Sequence, residues 1–124
     1  MDVDPSAVEW NGKKQKDTSG EENTIAIPGF EKVTLYANET KQAVNFHNPE
    51  INDCYFKISL IHPDGSVLWI SDLIEPGKGM YSIELEKTLA VGEYENAVLK
   101  YECFSLNDQS PLNGSEINLK LVVV

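Results

Sequence analysis

Arginine is absent from this chain of 124 residues; its ten basic side chains are all lysines. Twenty acidic residues outweigh them and set the formal net charge at −10. Arginine supplies the planar fork that grips phosphates and guanine edges, and a basic patch is the footprint of nucleic-acid binding. Without either, no nucleic acid is expected as a partner, and an anionic lipid surface fits no better. No apolar run approaches the roughly 18 residues that a spanning helix needs. A leader of basic start, apolar stretch and small-residue cleavage site is missing as well. The opening MDVDPSAVEW reads as the start of a chain from which a signal peptide or anchor has been removed, so a membrane is expected only through such an anchor. Helical periodicity holds over no useful length. Gly-x-Ser-x-Gly, P-loop and His-Glu-x-x-His motifs are also missing, so neither catalysis nor a cofactor is expected.

What is present is a series of short alternating runs broken by turn residues. Residues 1–23 stand apart: they lack periodicity, and their charge, Gly and Ser content (NGKKQKDTSGEEN) predicts a disordered linker with Trp10 as its lone oddity. From residue 24 the alternation begins. Strands are predicted at 24–27, 32–37, 43–47, 54–61, 66–74, 81–85, 94–105 and 116–124. Between the fourth and fifth lies His62-Pro63-Asp64-Gly65, where Pro presets φ and Gly suits the position that follows. In the sixth, Tyr81, Ile83 and Leu85 share the inward parity. Hydrophobic content of 41% is enough for one modest core, and runs of short strands with turn signals argue a sandwich or barrel. Tyr94 and Tyr101 are an odd number of residues apart, so burying both requires a β-bulge near residues 95–97, unless Tyr94 belongs to the corner before the strand.

Leu89-Ala90-Val91-Gly92-Glu93-Tyr94, leading into a long strand, resembles the corner that enters strand F of immunoglobulin-like and fibronectin-III-like domains. Tyr101-Glu102-Cys103 is similar to their Tyr-x-Cys, and Trp69 lies between the two cysteines. Over residues 24–124 the chain resembles the Ig-like modules of secreted or surface-anchored proteins of Gram-positive bacteria. The resemblance implies an Ig-like antiparallel β-sandwich of seven to eight strands, with Tyr94 as the structural corner whose hydroxyl bonds back to backbone. The cysteines depart from the antibody pattern. Cys54 opens a strand that turns tightly into the Trp69 strand, and strands so joined pair within one sheet. Residues 43–47 then take the place of strand B, 54–61 of C, 66–74 of C′, 94–105 of F and 116–124 of G. Strands C and F are neighbours in that register, and the start of one meets the end of the other.

Cys54 and Cys103 both share the inward parity of their strands. One reading is a C–F disulfide within one sheet, which an oxidising compartment favours. The other is two buried thiols packing as small apolar residues. Zinc is not expected, because His47 and His62 lack compact ligand spacing with the cysteines.

Two surfaces stand out for binding. The B–C loop, with Asn48, Glu50, Asn52 and Asp53, and the F–G loop over 107–115, with Asn107, Asp108 and Asn113, are expected at one end of the sandwich, where variable domains carry their binding loops. Ordinary polar turn chemistry explains the same residues. The outer face of the C–F–G sheet carries Tyr55 and Phe104 together with Ile61, Val98, Val122 and Val124, although such faces are normally polar. It is expected to be either a contact patch or an aromatic pair that merely steadies the sheet. The sequence thus reads as a non-catalytic extracellular or surface-anchored module whose partner is an unknown protein or glycan, in an oligomeric state the sequence leaves open. A secreted carbohydrate-binding or inhibitor domain, and a small enzyme on a β-sandwich scaffold, are the alternatives.

Overall fold

The computed structural model describes residues 2–9 and 32–124. The strand expected at 24–27, its Pro28-Gly29 stop and Trp10 lie outside the described residues. Among those described there are eight strands and no helix. They are β1 (Val8–Glu9), β2 (Lys32–Leu35), β3 (Lys41–His47), β4 (Cys54–Ile61), β5 (Val67–Ile70), β6 (Lys78–Glu84), β7 (Gly92–Ser105) and β8 (Pro111–Val123). One sheet runs β1-β6-β3 and the other β2-β8-β7-β4-β5, in a sandwich-like arrangement. Every pairing is antiparallel except β2 with β8, which run parallel.

Alternation decides which face of the larger sheet is dry. Phe56, Ile58 and Leu60 on β4, and Leu99, Tyr101 and Cys103 on β7, are buried with at most 1% exposure, while their sequence neighbours point away. The smaller sheet contributes Phe46, Met80 and Ile83 to the same core. Phe46 meets Trp69 at 5.7 Å between ring centroids, joining the two sheets, and Phe56 meets Tyr101 edge-on at 5.1 Å. One expected parity fails on β6: Met80 is buried and Tyr81 is 40% exposed. The register between β3 and β6 shifts between Ala43 and Phe46, so the residue opposite Phe46 is Met80.

The β4–β5 turn forms as its residues dictate. The Gly65 N–H donates to the His62 carbonyl at 2.8 Å, and Gly65 adopts φ 92°, where a side chain would be strained. The Asp64 carboxylate accepts from both the N–H (2.8 Å) and the hydroxyl (2.6 Å) of Ser66. Those bonds, the hydroxyl's first, hold the Asp64 carboxyl at about 2, below the usual carboxylate range. A depressed folded-state value means the interaction is fully present above the unfolded value of about 3.9 and is lost as pH falls through the folded one. An NMR titration of the Asp64 side-chain carbon is therefore expected to show a midpoint near 2. A midpoint near 4 would mean that the turn does not hold its hydrogen bonds in solution.

At the start of β7 the Tyr94 hydroxyl donates to the Ala90 carbonyl at 2.7 Å. Just beyond, the register with β8 shifts between Tyr94 and Ala97, and Asn96 takes the left-handed φ of 65°. The extra residue is absorbed there, so Tyr94 packs against the core edge while Tyr101 is buried. Residues 2–9, part of the segment whose composition reads as linker, lie along the sandwich instead. The Leu73 N–H donates to the Asp2 carbonyl, and the Asp4 N–H returns to the Leu73 carbonyl at 2.7 Å. The Asp4 carboxylate accepts from the Ser6 N–H at 2.8 Å and from the Asp72 N–H at 3.0 Å. Val8 and Glu9 then pair with Gly79 and Lys78 at the edge of β6.

Candidate functional site

The β4–β7 register places Cys54 opposite Ser105, so the loop entering β4 (48–53) and the loop leaving β7 (106–110) emerge at one end of the larger sheet. That juxtaposition matches the expectation from sequence, but the residues at this end divide into two kinds.

Asn48 and Asn52 are buried, at 0% and 4% exposure. The Asn48 side-chain amide donates to the Cys54 carbonyl at 2.8 Å and to the Ile74 carbonyl at 2.9 Å. Its side-chain oxygen accepts from the Asn52 amide at 2.9 Å. Its backbone is committed too: the N–H donates to Lys78 and the carbonyl accepts from Gly77. A fully engaged asparagine has nothing left to offer a ligand, so these two belong to the scaffold of the loop rather than its contact surface. Glu50 and Asp53 are exposed, and between them Ile51 is 63% exposed.

The second loop is shorter than expected. Sequence reading extends it to residue 115, whereas β8 begins at Pro111. Proline is tolerated as the first residue of a strand, and it pairs there with Phe104. Within 106–110 the loop closes on itself. The Gln109 N–H donates to the Ser105 carbonyl, Gln109 takes φ 60°, and the Ser110 N–H donates to Asp108 Oδ1 at 3.0 Å. The bond from the Ser110 N–H holds the Asp108 carboxyl below its ordinary value. Asn107 and Asp108 are exposed at the tip. Asn113 is exposed as well, but it lies in β8 rather than in the loop. There a second register shift, between Tyr101 and Cys103, puts an extra residue into β8. A Cβ on Gly114 would collide with the Tyr101 carbonyl oxygen, so only glycine lets the two backbones approach this closely. The bulge borders a groove of about 460 Å³ lined by Lys100, Glu102, Phe104, Pro111, Leu112 and Glu116 among others.

Beneath the loops lie the cysteines. Cys54 pairs with Ser105 and Cys103 with Phe56, so the two occupy diagonal positions on adjacent strands, both facing the core at 1% exposure. Both are free thiols in the structure. They are close enough to share a hydrogen bond, and that bond, reinforced by burial, pushes the Cys103 thiol well up. Tyr55 and Phe104, expected as cross-strand neighbours on the outer face, are directly paired in register and half-buried. Among the described residues, no group of three or more His, Cys, Asp or Glu side chains is placed to hold a metal ion.

Leu106 (39% exposed) and Leu112 (43%) add apolar surface at the same end as Ile51, a feature that sequence reading passed over in favour of the polar residues. Comparison with protein-family models, with curated proteins and with solved structures finds no match for this chain.

Proposed function

We propose that the chain is a non-catalytic, Ig-like binding module that works outside the cytosol and contacts its partner through the loop end. The observation that carries this reading is the exposure of Ile51 and Leu106, with Leu112 at the start of β8, at the end where the loops bearing Glu50, Asp53 and Asp108 are brought together by the β4–β7 register. Aliphatic contacts amid exposed charge, held on a rigid base, suit protein recognition. A sugar is better served by a row of stacking aromatics, so a protein partner is favoured over a glycan. The carboxylates call for a partner surface rich in lysine or arginine around an apolar centre. Two inward cysteines at diagonal positions on adjacent strands support an oxidising compartment.

The test is a binding screen of secreted and surface proteins, run beside a glycan array. It uses the wild-type chain and an Ile51→Glu/Leu112→Glu variant whose melting curve is unchanged. Protein binding that drops at least about tenfold in the variant supports the reading, since hot-spot losses of that size follow from removing an apolar anchor. Binding that ignores the substitutions sinks the loop-end assignment, and a glycan-only signal moves the chain to the carbohydrate-binding class.

A further inference from the structure

We propose that two copies of this chain pair face to face through the outer surface of the five-stranded sheet, in a two-fold arrangement centred over the Ile58–Tyr101 pair. The argument rests on the β4–β7 register. Outward-facing residues of β4 are Tyr55, Lys57, Ser59 and Ile61, and they lie opposite Phe104, Glu102, Lys100 and Val98 of β7. The face is therefore banded. An apolar row, Tyr55–Phe104–Pro111, crosses it near the loop end. A second, Val67–Ile61–Val98, crosses it toward the other end. Between them runs a charged band in which Lys57 lies opposite Glu102 and Lys100 opposite Glu116.

Such a face is its own complement. A two-fold axis lying in the interface, at right angles to the strands, exchanges the two halves of each strand. It sets Tyr55 against Ile61 of the second copy and Phe104 against Val98 of the second copy. It also sets Glu102 against Lys100 of the second copy, and Lys100 against Glu102 of the second copy. Each contact is made twice, as an isologous interface requires. A two-fold axis parallel to the strands would instead set Lys57 against Glu102 of the second copy and leave Lys100 over Ser59, so substitution at Lys100 distinguishes the two alignments. The charges are available for this role: among the described residues, neither Lys100 nor Glu102 is in an ion pair within the chain, whereas Lys78, Lys120 and their carboxylates are. The apolar rows supply the other half of the argument, because an antiparallel sheet face left to solvent is normally polar. In the pair, the two loop ends point to opposite poles and stay open.

Most of the face's apolar side chains are already half-buried within the chain, so the pairing is expected to be weak, half complete at about 100 µM. Sedimentation equilibrium of the full chain from about 10 µM to about 1 mM tests it. Glu102→Lys alone, or Lys100→Glu alone, places like charges across the axis and is expected to weaken pairing by at least about tenfold. An equimolar mixture of the two variants restores opposite charges at both contacts and is expected to recover the dimer as a heterodimer. Circular dichroism melts confirm that each variant is folded. A wild-type chain that stays monomeric at the highest concentration overturns the proposal. Single variants that dimerise like wild type, or a mixture that fails to recover, overturn it equally, because the pairing would then use another face or another axis.

Discussion

Oxidative refolding is expected to leave no titratable thiol in this chain and to raise its unfolding free energy by about 4 kcal/mol over the reduced form. The two cysteines face the same core from adjacent strands and are in thiol–thiol contact. Bridging them takes loss of two hydrogens to an oxidant such as oxidised glutathione and a small approach of the two strands, because diagonal neighbours start slightly farther apart than a disulfide spans. The bridge would close a loop of roughly 50 residues, and in the chain-entropy model a loop of that length removes about 4 kcal/mol of freedom from the unfolded chain. Timing follows from burial. The Cys103 thiol, held protonated, donates to Cys54 and lowers that thiol below its ordinary value, but at 1% exposure neither sulfur of the folded reduced protein is open to an oxidant. Bridging is therefore expected to be fast during refolding and slow, limited by opening, once the fold is complete. Thiol titration in denaturant and urea melts with and without reductant read both quantities. Two thiols surviving oxidative refolding would remove the bridge, and with it the main support for an oxidising compartment.

The strand order was legible from sequence wherever local chemistry and alternation agreed. His62-Pro63-Asp64-Gly65 can hardly do anything but turn, so the β4–β5 pairing follows, whereas the adjacency of β4 and β7 was implied only by the resemblance to Ig-like domains. The odd spacing of Tyr94 and Tyr101 pointed to a bulge because alternation is strict, and Asn96 marks where it falls. Legibility ended where a side chain's role is set by a distant partner. Asn48 bonds the Ile74 carbonyl 26 residues away, and nothing local distinguishes that amide from one offered to solvent. The arm at residues 2–9 has no periodicity to read, since its hold comes from one carboxylate and a few backbone bonds. Asn113-Gly114-Ser115 has the composition of a loop, yet it is a bulged strand because β7 continues opposite it. Tyr81 obeyed its parity on paper and lost it to a register shift on the neighbouring strand.

Asn48→Ala is expected to destabilise the fold by about 3 kcal/mol, whereas Asn107→Ala changes it by less than about 0.5 kcal/mol. The contrast separates scaffold from contact surface within residues that look alike in sequence. Removing the Asn48 amide strands the Cys54 and Ile74 carbonyls in a buried site and leaves the Asn52 amide without its acceptor. Each unsatisfied buried group costs roughly 1–3 kcal/mol, partly relieved where the backbone relaxes or water enters. Asn107 is exposed, so solvent replaces whatever its side chain touches. Functional readouts should invert this order if the loop end is the binding surface. Substitutions at Asn107, Asp108 or Ile51 then lower partner affinity without moving the urea midpoint. Asn48→Ala instead lowers the midpoint and weakens binding only through disorder of the loop it anchors. Hydrogen exchange gives the sharper reading. The Gly77 and Asn48 amides, which bond to Asn48 and Lys78 backbone carbonyls, are expected to lose protection in Asn48→Ala while amides in the middle of β7 keep theirs. An unchanged midpoint in Asn48→Ala would mean that the loop stands without its pin, and that the rigid base assigned to the binding end is not rigid.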